Sequence, residues 1–168
     1  VNTNGKGVCG ARNTGLSRAS GLWIIFADSD DLFYKKDLSG KMDEYLNTNY
    51  DQILFRYDSR LSENREPAGR HKYADFVFKR YSKTNPLSVL LNTGTVYMRF
   101  IKRSIIVNNK IQFRDGYRVA EDAIFVTEVT SKSETYTLDK TILYTVLDRD
   151  DSVTSRMDYV LFKNWVDA

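Results

Sequence analysis

In residues 22–32, LWIIFADSDDL, six apolar residues run without interruption into an aspartate cluster, and the rest of the chain is organised around that stretch. A strand covered on both faces needs no polar alternation, so the run predicts a buried central strand with Asp28, Asp30 and Asp31 at its carboxyl end. Upstream, the glycine-rich residues 1–7 read as a flexible lead-in, and residues 9–20, CGARNTGLSRAS, as a short helix with Gly21 as its C-cap. Downstream, Leu38, Met42, Tyr45 and Leu46 fall at helical spacing within 35–47, and QILFRY at 52–57 returns as a strand. Strand, helix and strand in that order imply a right-handed parallel crossover.

Beyond it, the polar residues 58–69 read as a surface loop or hairpin insert, and 73–81 as strand or an irregular lid. Val96, Met98 and Phe100 alternate in 92–102, which predicts a further strand. A helical turn at 104–107 and an extended piece at 111–113 follow. Residues 120–131, AEDAIFVTEVTS, carry Ile124, Phe125, Glu128 and Val129 at helical spacing, while their β-branched content keeps a strand open. Two β-rich runs, 135–138 and 142–147, precede a last helix at 157–165 that would pack Tyr159, Phe162 and Trp165. No repeat or low-complexity segment interrupts the chain.

Composition narrows this to one domain over residues 1–168, since 168 residues with 42% hydrophobic content can bury a real core. The net charge of +3, from 25 basic and 22 acidic residues, gives no global field for nucleic acid. Lys102-Arg103 then reads as a solvated face, and His71, the one histidine, as a surface residue. Cys9 has no partner for an internal disulfide and fits a reducing compartment, as a small buried filler. No apolar run is long enough for a membrane-spanning helix, and no signal-peptide pattern opens the chain. A start at Val1 suggests an excised or processed fragment.

Ligands of open α/β sheets bind outside the carboxyl ends of the strands, where Asp28, Asp30 and Asp31 are expected. Carboxylates crowded in one turn repel, and a hard divalent cation with oxygen ligands relieves that repulsion. The bland reading is a turn with a carboxylate N-cap. Glu121-Asp122 likewise resembles an ordinary helix start, because acids favour the first turn.

The run GVCGARNTGLSRASGLWIIFADSDDL resembles the second half of a family 2 glycosyltransferase domain of the GT-A type, whose pattern is G, ARN-x-G, A-x-G, an apolar strand and D-x-D-D. MRFIKRSIIVNNKIQFRDGYRVAEDAIF is similar to that family's basic turn, Phe-containing extension and Glu-Asp pair, and ILYTVLDRDDSVTS to its aromatic strand and R-x-x-S-x-T loop. The resemblance runs from about Gly5 to Ser155. The family's initial strand, helix and V-x-D-x-S-T segment have no counterpart, so the expectation is an N-terminally incomplete GT-A mixed α/β sheet with flanking helices.

What the resemblance implies is an inverting, metal-dependent transfer from a nucleotide-diphosphate sugar to a glycan or lipid-linked acceptor hydroxyl, in polysaccharide or glycolipid synthesis. It makes Asp30 the ligand of Mn²⁺ or Mg²⁺, and takes Asp28 to the ribose or a metal-bound water. Asp122 becomes the general base, and Glu121 contacts the acceptor or orients the loop. Arg12 would pair with the diphosphate or base, Asn13 would brace the loop, and Arg149 would close over the phosphates or lie solvated beside Asp148 and Asp150. Asp31 would cap the following helix. The acceptor side falls to 64–92. Such enzymes work in the cytoplasm, often at the inner membrane face, and an uncovered sheet edge predicts self-association.

Two other classes stay open. A haloacid-dehalogenase-type phosphatase would make Asp28 the nucleophile, Asp30 the acid/base and Asp122 a metal ligand, but ARN-x-G lies directly upstream and Leu32 stands where Gly-Thr is usual. A noncatalytic remnant would only bind glycans or a partner chain. A calcium loop fails because Leu32 occupies a position that needs an oxygen ligand.

Overall fold

The computed structural model describes residues 7–61, 94–117 and 120–148. Five strands form one sheet in the order β1-β4-β3-β5-β2: β1 Trp23–Ile24, β2 Leu32–Phe33, β3 Gln52–Leu61, β4 Arg99–Lys102 and β5 Tyr136–Asp148. The helices are α1 Gly7–Arg18, α2 Lys35–Leu46, α3 Arg103–Asn108 and α4 Glu121–Ser131.

The acid-tipped stretch is not one central strand. Its start pairs with β4 at one end of the described sheet and its end pairs with β5 at the other, through Trp23↔Lys102 and Leu32↔Thr145. Those ends are separated by inter-strand steps of about 4.8 Å, roughly 19 Å in all, a gap that residues 25–31 cross without strand structure and with a turn at 28–31. Phe26 is buried beneath the crossing, whereas Leu22 and Leu32 are exposed. An apolar run therefore became a strap rather than a strand.

The crossover also differs in its neighbours. β1 and β3 run the same way, but β4 lies antiparallel between them. β3 and β5 pair in parallel, with a register irregularity after Leu54. That irregularity lets 135–138 and 142–147 belong to a single strand.

Adjacent β4 residues face opposite sides of the pleat. Phe100 joins a core with Tyr45 of α2, Ile53, Phe55 and Tyr144, while Ile101 joins one with Cys9 of α1, Ile106 of α3, and Phe125, Val126 and Val129 of α4. Helices thus cover both faces. α4 is helical despite its β-branched residues, because Phe125, Val126, Val129 and Thr130 make one buried stripe. Ile111 and Phe113 are buried without forming a strand.

Lys102-Arg103 is not a solvated face. Both residues are half-buried, and Arg103 donates from its main-chain N to Leu22 O (2.9 Å) and from Nε to Ala19 O (2.7 Å), joining α1 to the β1 edge. Cys9 is buried. His71, the 73–81 and 157–165 segments, residues 1–6 of the 1–7 lead-in and the acceptor side expected at 64–92 lie outside the described residues.

Candidate functional site

Arg12 of α1 joins the two acidic motifs. Its Nη2 lies 3.0 Å from Asp28 Oδ1, and its Nη1 contacts both Glu121 Oε1 (3.3 Å) and Asp122 Oδ1. The guanidinium lies over the Phe113 ring, 5.2 Å from its centroid. Phe113 in turn stacks on Phe125 at 4.0 Å and meets Phe26 edge-on. Asn13 pins this ring's backbone in both directions, donating to Phe113 O at 2.8 Å and accepting from Phe113 N at 2.9 Å. One cation and an aromatic stack therefore bring the end of the apolar strap to the start of α4.

Glu121 and Asp122 open α4 after Ala120, which takes a left-handed φ of 68° and supplies no side-chain cap. The first-turn acids compensate the helix dipole instead. Burial pushes the Asp122 carboxyl up to about 7, and Glu121 and Asp28 push the same way, against Arg12 and the Val96 N–H. Fully buried Arg99 adds a second cation whose charge acts on Asp122, and burial brings its own pKa down to about 9. Arg99 is fixed by Gln52 Oε1 (3.2 Å) and Thr95 O (3.0 Å).

Asp31 does not cap α2, whose N-cap is Tyr34 without a side-chain bond. It accepts from Tyr144 Oη (2.7 Å) and Leu147 N (2.9 Å), because β5 passes beneath the turn and offers better-placed donors than the helix start. Asp30 sits half-buried in the turn between Asp28 and Asp31. Among the described residues no three His, Cys, Asp or Glu side chains gather closely enough to hold a metal by themselves. The acidic turn still suits a Mg²⁺- or Mn²⁺-type ion, which takes one or two carboxylates and completes its shell from phosphate and water.

The structure thus brings Arg12, Asp28, Glu121 and Asp122 into direct contact, places Asp30 in the same turn as Asp28, and sets Asn13 behind the site. Arg149 lies outside the described residues. Sequence reasoning missed Tyr144 and Arg99. Tyr144 is hidden in an aromatic strand run that looks like plain core. Arg99 had a signal, a single charge inside the apolar run VYMRFI.

The mixed sheet with helices on both faces is that of the GT-A fold, as the family match and the superposition given next show. Residues 1–108 match the family model described as Glycosyl transferase family 2, and the chain belongs to that family. It is 26% identical over 139 residues to the poly(ribitol-phosphate) beta-N-acetylglucosaminyltransferase TarP of Staphylococcus aureus (strain N315), covering 83% of this chain and 41% of that protein. It is also 26% identical over 163 residues to the minor teichoic acid biosynthesis protein GgaB of Bacillus subtilis (strain 168), covering 95% of this chain and 17% of that one. The crystal structure of S. aureus TarS 1-349 in complex with UDP-GlcNAc superposes with a TM-score of 0.73 at 19% identity, over 98% of this chain and 46% of that chain. The chain spans less than half the length of these relatives.

Proposed function

We propose that this chain is the catalytic part of an inverting glycosyltransferase that moves a sugar from a nucleotide-diphosphate sugar to a hydroxyl of a growing glycan, in polysaccharide or teichoic-acid-type synthesis. The observation that carries this reading is the Arg12 bridge, which puts Asp28 of the acidic turn and Asp122 of α4 on one guanidinium. A donor held at the turn would then present its anomeric carbon to an acceptor beside Asp122.

In the reaction, Asp122 takes the acceptor hydroxyl proton while the oxygen bonds to the anomeric carbon. The bond from that carbon to the diphosphate oxygen breaks on the opposite face, and the nucleoside diphosphate leaves with the electron pair. A base works best with a pKa near the operating pH, and burial gives Asp122 that value. Arg12 keeps enough of it ionised to act. Glu121 orients the α4 start. Asp30 would hold Mn²⁺ or Mg²⁺, which supplies Lewis acidity to the diphosphate oxygens when bound. Arg149 is assigned to the phosphates by resemblance alone.

TarS was crystallised in complex with UDP-GlcNAc, so UDP-sugars are the first donors to test. TarP is a poly(ribitol-phosphate) beta-N-acetylglucosaminyltransferase and GgaB a minor teichoic acid biosynthesis protein, so N-acetylglucosamine is the first sugar, and a teichoic-acid polymer the first acceptor, to test. No helix among the described residues is long and apolar enough to cross a membrane. The test is turnover of UDP-sugars by the protein at its natural length with and without Mn²⁺, repeated with Asp30→Ala and Asp122→Asn. Each variant should lose at least about a hundredfold in rate, in line with removal of a metal ligand or a general base. Full activity of Asp122→Asn, or hydrolysis of simple phosphomonoesters with indifference to nucleotide-sugars, refutes the reading.

A further inference from the structure

We propose that Tyr144 is a positioning residue for the donor end of the site, a clamp that holds the acidic turn in the shape that presents Asp30. The inference rests on the glycosyltransferase reading and adds to it a residue that touches neither substrate nor cation.

The geometry is a closed ring of hydrogen bonds. The Asp28 N–H donates to Tyr144 Oη at 2.9 Å, and the same phenol donates to Asp31 Oδ2 at 2.7 Å. Across the turn, Asp31 N donates back to Asp28 O at 3.2 Å. Asp31 Oδ1 is tied separately to Leu147 N at 2.9 Å. Asp30 is thus carried between two residues that are both fastened to β5. A hydroxyl suits this place because it accepts one hydrogen bond while donating another, and no apolar side chain of the same shape can do either.

The phenol is itself immobilised. Tyr144 is fully buried, stacks on Tyr97 at 5.1 Å between centroids and meets Phe33 edge-on at 4.8 Å. β2 adds main-chain pairing on the far side of the turn, with Phe33 opposite Tyr144 and Tyr34 N donating to Leu143 O at 3.0 Å. A strap that crosses the end of the sheet with little strand structure of its own would otherwise rely on side chains at its two ends. Carboxylates that repel each other in one turn need such a frame to stay close. Asp31, which at first sight would be a ligand or a helix cap, belongs to the clamp.

The test uses Tyr144→Phe, which keeps the ring and its packing, and Asp31→Asn, which removes the charge that the phenol holds. Both are made in the protein at its natural length and followed by amide hydrogen exchange in residues 27–33 and by the half-saturation constants for Mn²⁺ and a UDP-sugar. Losing these bonds should speed exchange in 27–33 and raise both constants, each by about tenfold, with kcat changed less than about threefold and exchange in 9–18 unaltered. Because Asp31→Asn leaves the tyrosine in place, it serves if Tyr144→Phe folds poorly. Unchanged exchange in 27–33 in the folded variants overturns the clamp. Faster exchange with unmoved constants in an active enzyme overturns the positioning role alone. Wild-type protein that neither turns over nucleotide-sugars nor binds Mn²⁺ overturns the functional reading on which the role depends.

Discussion

Arg12→Met tests the electrostatics of the site in the sharpest way. Arg12 is the cation shared by Asp28, Glu121 and Asp122, and its side chain is only 11% exposed. Two unit charges about 4 Å apart in a medium of effective dielectric ~20 interact by about 4 kcal/mol. Water entering the vacated space returns part of that, while the remaining acids add repulsion, so a net rise of at least ~1 pKa unit, or ~1.4 kcal/mol, is expected at Asp122. The sign follows from the role of a base. Asp122 must be ionised to accept a proton, so the acid limb of kcat/KM should lie near the Asp122 pKa of about 7 in the wild type and move upward in the variant. The rate lost at neutral pH should return as pH rises toward about 9, whereas Arg12→Lys should keep most of the wild-type limb because the charge remains. The assay is a pH series of kcat/KM with saturating Mn²⁺. An unmoved limb in an active Arg12→Met enzyme would refute the electrostatic part of the argument.

Two further predictions concern stability and reactivity. Asp139 accepts from Tyr45, from Thr141 N (2.7 Å) and from Lys41 (2.8 Å), and although burial opposes it, these partners bring its pKa down to about 2. Its folded pKa lies below the ordinary carboxylate value, so its stabilisation of about 2 kcal/mol is present above pH ~4 and disappears as pH falls through ~2. Asp139→Asn should therefore lower the denaturation midpoint at pH 7, and the gap to wild type should close toward pH 2; a gap that is constant with pH contradicts this. Cys9 is buried and burial pushes its thiol up, so it should react with a thiol reagent only on unfolding. Rapid modification of the native protein would show that α1 packs less tightly than the core implies.

The parts of the fold set by local periodicity were legible. α2 has its apolar residues at helical spacing, and its observed span, Lys35–Leu46, differs from the expectation by one residue. α4 was harder, since Val126, Thr127, Val129 and Thr130 also suit a strand; its buried stripe decided the outcome. What periodicity cannot show is which side of a sheet an apolar run joins. Residues 22–32 look like a strand because their apolar run is unbroken, yet they cross from β4 to β5 with Leu22 and Leu32 exposed. The antiparallel placement of β4 is invisible for the same reason, as neighbours in the sheet are distant in sequence. In the site, clustered acids were readable as chemistry, whereas Tyr144 was not, because a phenol that bonds to a main-chain N–H leaves no charge signature. Asp31 shows the converse: an acid a few residues before a helix, with its partner more than a hundred residues away on β5.

The central claim is that the acidic turn and the α4 start face one donor-holding cleft. Paramagnetic broadening by Mn²⁺ in the presence of a UDP-sugar tests it most directly. The account predicts that amides of residues 28–31 and 121–122 broaden together, while those around Tyr45 and Asp139 stay sharp. Broadening confined to 28–31, with 121–122 unaffected, would contradict it.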